Sequence, residues 1–160
     1  MTVKEHLLQL GYSIEDVGNI LNSYPLCNLK ENTLLADVKE VYSLLITLSY
    51  SHEDIIRMTK KFPALFGLSS ENIKQKIDDL ISLGYSHNDV IKMTKQYPAL
   101  FSLSLENIKR KINDLISLGY SYEDVIKMTK QLPSLFGLSS ENIKQKIDDL
   151  ISLGYSRDDI

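Results

Sequence analysis

The sequence contains no tryptophan, a single cysteine and only four prolines in 160 residues. With Cys27 alone, neither a disulfide framework nor a thiolate metal cage can form, which fits a reducing compartment. A small buried apolar role is the expectation for that thiol. No apolar run approaches the roughly 18 residues that a membrane-spanning helix needs, so no membrane partner is expected. The opening, MTVKEHLLQLGYSIEDV, has neither a secretory apolar core nor an Arg-rich, acid-poor transit segment, and a cytoplasmic chain is the expectation. A Gly-rich phosphate loop, an HExxH pair and a Ser/His/Asp order are all missing. The pairs Asp78-Asp79 and Asp148-Asp149 read as solvated helix surface, because nothing nucleophilic or metal-binding converges on them. His52 and His87 share a position that Tyr122 and Arg157 fill elsewhere, a swap that a metal ligand does not tolerate. No enzyme, no metal and no cofactor is expected.

What the chain does have is repetition. LGYSHNDVIKMTKQYPALFSLSLENIKRKINDLIS, residues 83–117, recurs with small changes at 48–82 and 118–152, and begins again at Leu153. Leu48, Leu83, Leu118 and Leu153 start the copies, which sets a period of 35 residues. A fixed period of this size marks stacked supersecondary units. Residues 10–47 form a diverged copy that is three residues longer, with the excess after Pro25, as suits a capping repeat. Residues 1–9 read as the tail of a preceding helix, and 153–160 as a truncated repeat.

Each regular repeat spells two helices. Ser51, Ser86 and Ser121 are followed three residues later by Asp54, Asp89 and Asp124, which approximates a capping box. Tyr50, Tyr85 and Tyr120 precede these caps and pair with Ile55, Val90 and Val125 as hydrophobic staples, so the tyrosines read as packing groups rather than base-stacking platforms. Ile55, Ile56, Thr59 and Phe62 form an apolar stripe, and Tyr97 and Leu132, the counterparts of Phe62, read as core. The first helix must end before Pro63, Pro98 or Pro133. Ser69, Ser104 and Ser139 open the second helix, whose stripe is Ile73, Ile77, Leu80 and Ile81 in the first regular copy. Gly84, Gly119 and Gly154 suit the left-handed residue that closes it. The fold expected is all-α, an α-solenoid of about 35-residue helix–turn–helix repeats, two α-helices and a short 3-10 turn in each, forming a single array over residues 1–160.

The wording LGYSxxDVIKMTKxxPxLFxLSxENIKxKIxxL, read at 83–115 and 118–150, resembles the mitochondrial transcription termination factor family. Pro63, Pro98 and Pro133 match its repeat proline, and Phe66, Phe101, Phe136, Ile73, Ile108 and Ile143 fall where it places large apolar residues. The resemblance implies a curved, left-handed solenoid of three-helix repeats whose concave side holds nucleic acid, in a protein acting in transcription, its termination, ribosome assembly or translation. Against that family this chain is short and slightly acidic, and its Ile/Lys/Asn/Ser-rich wording resembles an AT-rich bacterial or endosymbiont genome. A second, partial resemblance links Tyr85–Thr94 to transcription-activator-like effector repeats, whose base-reading pairs would fall at Lys61-Phe62, Gln96-Tyr97 and Gln131-Leu132. Pro and Ala or Ser replace the glycine pair of that family.

The net charge of −3 hides a gradient: residues 1–47 carry −3, 48–82 carry 0, 83–117 carry +2 and 118–152 carry −1. Only the central repeat is basic. Basic residues also recur in register. Arg57, Lys92 and Lys127 share one position, and Lys60, Lys95 and Lys130 another. Stacked repeats turn such positions into ladders that can follow phosphates. Lys74, Lys109 and Lys144, and Lys76, Lys111 and Lys146, repeat on the second helix, where Asp78 and Asp79 offset them. In the central repeat Asn113 replaces that first Asp and Arg110 replaces Gln. The candidate nucleic-acid contacts are therefore Arg57, Lys60, Lys61, Lys92, Lys95, Gln96, Lys109, Arg110, Lys111, Lys127 and Lys130, with double-stranded DNA favoured over RNA. The competing expectation is a protein-binding or self-assembling solenoid without nucleic acid. The near-neutral balance supports it, as does the sequence stopping at Ile160, which leaves the apolar face of 121–152 open to end-to-end contact.

Overall fold

The computed structural model describes residues 1–156 and 159. The chain forms two compact units, Met1–Ser102 and Leu103–Ile160, and each is taken by itself. Among the described residues every regular element is helical. The first unit contains α1 (Val3–Leu10), α2 (Ile14–Asn22), a 3-10 turn η1 (Leu26–Asn28), α3 (Glu31–Thr47), α4 (His52–Lys61), η2 (Pro63–Gly67), α5 (Ser70–Ser82), α6 (His87–Gln96) and η3 (Pro98–Ser102). The second contains α7 (Leu105–Ser117), α8 (Tyr122–Gln131), η4 (Pro133–Gly137) and α9 (Ser140–Ser152). The architecture is an all-α solenoid of paired helices separated by short 3-10 turns, as the period and the caps require.

Local chemistry sets each boundary. Ser51 and Ser86 accept from the backbone N–H of Asp54 and Asp89, whose carboxylates accept in return from the serine N–H groups. Ser121 accepts from Asp124, and Ser69, Ser104 and Ser139 cap the second helices through Asn72, Asn107 and Asn142. Each cap satisfies an amide that would otherwise lack a partner. Gly84 adopts φ 113°, its N–H reaches the Ile81 carbonyl, and the Tyr85 N–H reaches Leu80, which is a Schellman closure. Ser49 takes the same left-handed place with φ 82° at the end of α3, with Tyr50 N–H bonded to Leu45. A serine there is a cost that the glycines at other copies avoid.

In the first unit like stacks on like. α2 packs on α4 and α4 on α6, η1 on η2 and η2 on η3, and α3 on α5. The core between these rows holds Val17, Ile20, Ile55, Met58, Leu65, Phe66, Ile73, Leu80, Val90 and Met93, all essentially sealed from solvent. Each such side chain contributes about 1.5–3 kcal/mol by leaving water. Neither helix of a pair could retain its stripe alone. In the second unit α7 packs on both α8 and α9, and α8 on η4.

Four details depart from the simple reading. The three extra residues of the diverged copy lengthen its second helix, 17 residues in α3 against 13 in α5, while η1 is shortened to three residues against five. The shorter turn buries Leu26 and leaves Cys27 exposed, so the thiol is not the buried hydrophobe expected. Phe62 and Tyr97 are half-buried and Leu132 is 52% exposed, because each caps a helix with its side chain at the rim rather than in the core. Residues 1–9 hold a helix with its own capping box at Thr2 and Glu5, ending at left-handed Gly11. Arg157, which fills the histidine position in the last copy, lies outside the described residues.

Candidate nucleic-acid interface

The first helix of each repeat divides its residues between two faces. α4 turns Ile55, Met58 and Thr59 inward, and Arg57, Lys60 and Lys61 outward. α6 buries Val90, Met93 and Thr94, leaving Lys92 and Gln96 exposed and Lys95 half-buried. α8 buries Val125, Ile126 and Thr129, with Lys127 exposed and Lys130 half-buried. In the first unit the stacking of α4 on α6 therefore sets the Arg57 and Lys92 positions on the outward faces of adjacent helices. Lysines in a last turn also complement the negative end of the helix dipole.

One of these registers is already engaged within the fold. Lys60 lies 3.5 Å from Asp16, and Lys95 lies 3.6 Å from Asp54. In each pair the last-turn lysine of one repeat meets the capping-box carboxylate of the repeat before it. The Asp16 carboxyl is held below its ordinary range chiefly by the Ser13 hydrogen bonds, with Lys60 adding to the effect. For Asp54, burial pushes the pKa up, but the two Ser51 hydrogen bonds and the charges of Lys95 and Arg57 outweigh it and the net direction is down. The lysine of each pair is the more exposed partner, so its ammonium remains reachable from solvent.

Arg57 and Lys60 meet in one cleft of about 390 Å³ that Leu10, Gly11, His52, Glu53 and Ile56 complete. His52 holds the exposed first-turn position expected of it. Its Nδ1 is 2.5 Å from the Tyr42 hydroxyl, and the two rings meet edge to face with centroids 5.8 Å apart. Sequence reasoning did not attach Tyr42 to this cleft, since the regular copies hold isoleucine at its position, Ile77, Ile112 and Ile147.

The second-helix lysines separate by position. Lys109 and Arg110 are exposed on α7. Lys111 turns the other way: its Nζ donates to the backbone carbonyl of Leu138, at the end of η4 in the next repeat. Lys76, its counterpart, is buried, and desolvation pushes its pKa down against the opposing pull of Asp79. Lys111 thus reaches into the next repeat and Lys76 is buried, so neither stands on a solvent-facing ladder. Arg110 and Lys111 share a second cleft, of about 430 Å³, with Asn107, Asp114 and Ser140, and Ser140 donates to Asp114 across it. In the first unit the Ser70 hydroxyl similarly reaches Glu40, at 2.6 Å. Leu105 occupies the Ser70 position in the central copy.

Among the described residues no group of three or more His, Cys, Asp or Glu side chains is placed to hold a metal ion, and no helix is long and apolar enough to cross a membrane. No curated protein matches the chain. The mTERF family model matches residues 1–160, and this agrees with the paired helices, 3-10 turns and repeat prolines described above. The chain therefore belongs to the mTERF family, non-catalytic helical-repeat proteins generally associated with nucleic-acid binding.

Proposed function

We propose that this chain binds nucleic acid by gripping the phosphate backbone with the basic positions of its first helices, double-stranded DNA in preference to RNA, and that it regulates transcription or translation by doing so. The observation that carries the reading is the exposure of Arg57 and Lys92 at one repeat position on helices that pack side by side. Lys61, Gln96 and Lys127 extend the first-helix set, and Lys109 and Arg110 extend it onto α7. Lys60, Lys95 and Lys130 serve as secondary contacts, since a phosphate reaching Lys60 or Lys95 must compete with Asp16 or Asp54. Lys111 is the weakest member, its ammonium being engaged with a backbone carbonyl. Phosphate recognition of this kind is electrostatic, so affinity should fall steeply with salt, with a log–log slope of about 0.9 per phosphate engaged.

The test is a salt series with labelled duplex DNA, single-stranded DNA and RNA. Duplex DNA should bind most tightly, and all three should weaken as salt rises. Absence of binding at low salt would remove this reading. It would leave the second one, a protein-binding or self-assembling scaffold, which an exposed apolar cleft between α8 and α9 favours. End-to-end self-association belongs to that reading, and light scattering across a concentration series reads it directly.

A further inference from the structure

The cleft between the end of α1 and the outer face of α4 holds one polar group that the basic register leaves out. His52 lines it beside Arg57 and Lys60, with Leu10 and Ile56 as its apolar wall. The Tyr42 hydroxyl, on α3, engages the imidazole at Nδ1, 2.5 Å away. Nε2 lies on the side of Gly11, where an added methyl group would stand 3.9 Å from it. A phenolic hydroxyl both donates and accepts. Tyr42 therefore donates to the neutral ring and accepts from the charged one, which keeps Nε2–H directed to the cleft in both states. One period on, His87 is retained while Ile77 stands at the tyrosine's position, so this pairing is particular to the first cleft.

Without a proton on His52 the charges of the cleft cancel. Arg57 and Lys60 are opposed by Glu53, which shares the cleft, and by Asp16 of α2, 3.5 Å from Lys60. From α1 only the uncharged Leu10 and Gly11 line it. On α3, Lys39 acts on His6 and Glu40 holds Ser70. Lys95 of α6 meets α4 at Asp54, and the turns η2 and η3 carry no titratable side chain. A charged imidazole leaves one positive charge in excess and adds a charge-assisted donor.

We propose that this cleft is a proton-controlled seat for a phosphate group of nucleic acid. His52 is the third donor beside Arg57 and Lys60, and Tyr42 is its positioning residue. The seat holds phosphate when the imidazole is charged and releases it when the proton leaves. The occupant rests on the nucleic-acid function proposed above, whereas the seat itself answers to any tetrahedral dianion.

Polarisation of a fluorescein-labelled duplex with 5′-hydroxyl ends, at about pH 5.5 and about pH 8 and constant ionic strength, reads the seat in the full chain. Affinity should be about threefold or more higher at the lower pH. His52→Gln should remove that difference and Tyr42→Phe should shrink it, whereas Lys92→Glu should weaken binding at both pH values and keep the ratio. A gain from 5′-phosphate ends that His52→Gln removes puts a strand end in the cleft, and equal affinity puts a backbone phosphate there. A pH ratio that His52→Gln leaves unchanged overturns the proposal. An NMR titration of the imidazoles needs no nucleic acid. Replacing chloride by sulfate at equal ionic strength should move protonation of His52, but not of His87, to higher pH, because anion binding and protonation are linked. If no duplex binds, the proposed function falls while this shift upholds the seat. Equal midpoints for His52 in the two salts overturn it.

Discussion

Tyr50 donates its phenolic proton to Thr94, which lies 44 residues further along the chain and one repeat away, at 2.5 Å. The direction follows from Thr94, whose own hydroxyl proton goes to the Val90 carbonyl at 2.8 Å. Tyr12 and Thr59 form the same relay with the Ile55 carbonyl. All four side chains are buried, so each relay links two repeats through groups that have no water to turn to.

Breaking one member of the relay should cost more than removing both. Thr94→Val leaves the Tyr50 hydroxyl buried without its acceptor and should destabilise the fold by about 1–3 kcal/mol. Adding Tyr50→Phe should recover part of that loss, giving a favourable coupling in a double-mutant cycle measured by urea unfolding. Strict additivity of the two substitutions would show that the hydroxyls do not act as a pair.

Burial raises the Tyr12 phenol to about 12, with the Thr59 hydrogen bond opposing the shift. A group whose pKa is higher in the folded state contributes stability that is complete below its unfolded value, roughly 10, and lost as pH rises through the folded value. Stability should therefore fall between about pH 10 and 12. Tyr12→Phe should flatten that part of the profile in a comparison of unfolding midpoints across alkaline buffers.

Asp54 has the opposite sign. Its folded pKa is depressed, so its contribution is present above the unfolded value, roughly 3.9, and disappears as pH drops through the folded one. Asp54→Asn should destabilise modestly at pH 7, and the gap to the parent chain should close in acid. Lys95→Met should cost less than about 1 kcal/mol, and less still at high salt, because the pair is partly exposed.

Replacing Ser49 by glycine removes a side chain from a left-handed position and should stabilise the chain by about 0.5–1 kcal/mol. Gly84→Ala makes the converse change at φ 113° and should destabilise by a similar amount. Thermal unfolding of the two variants side by side should show midpoints moving in opposite directions.

For nucleic acid, Lys92→Glu should weaken duplex binding several-fold or more and lower the salt slope by about one. Lys111→Met should act mainly on stability, since it deletes the donor to the Leu138 carbonyl. An equal loss of affinity from both substitutions would place the phosphate contacts on a different face.

Most of the fold was legible because its determinants are local. A serine cap and the acid three residues on, a glycine after the last turn, and a proline after the first helix all act within a few positions of one another. Contacts between repeats were not legible. Tyr50 read as a staple without revealing Thr94, and Lys111 as part of a basic register without revealing the Leu138 carbonyl, 27 residues on. Ser49 shows the limit from the other side: the flanking residues impose the left-handed turn even where the expected glycine is absent. At the candidate interface, sequence identified the exposed cations of the first helices but not which of them the preceding repeat already holds.

The lengthened α3 points to how such an array can change over time. Its three additional residues are absorbed because they fall within one helix of the diverged copy, with a shortened turn to offset them. The Tyr–Thr relay and the Asp–Lys pair still form across that copy, Tyr12 to Thr59 and Asp16 to Lys60, as Tyr50 to Thr94 and Asp54 to Lys95 do across a regular one. Whole units can be duplicated or lost with every linkage regenerated at the new junction. Growth by complete periods, with small differences in length taken up inside a second helix, is a history that this bonding pattern permits.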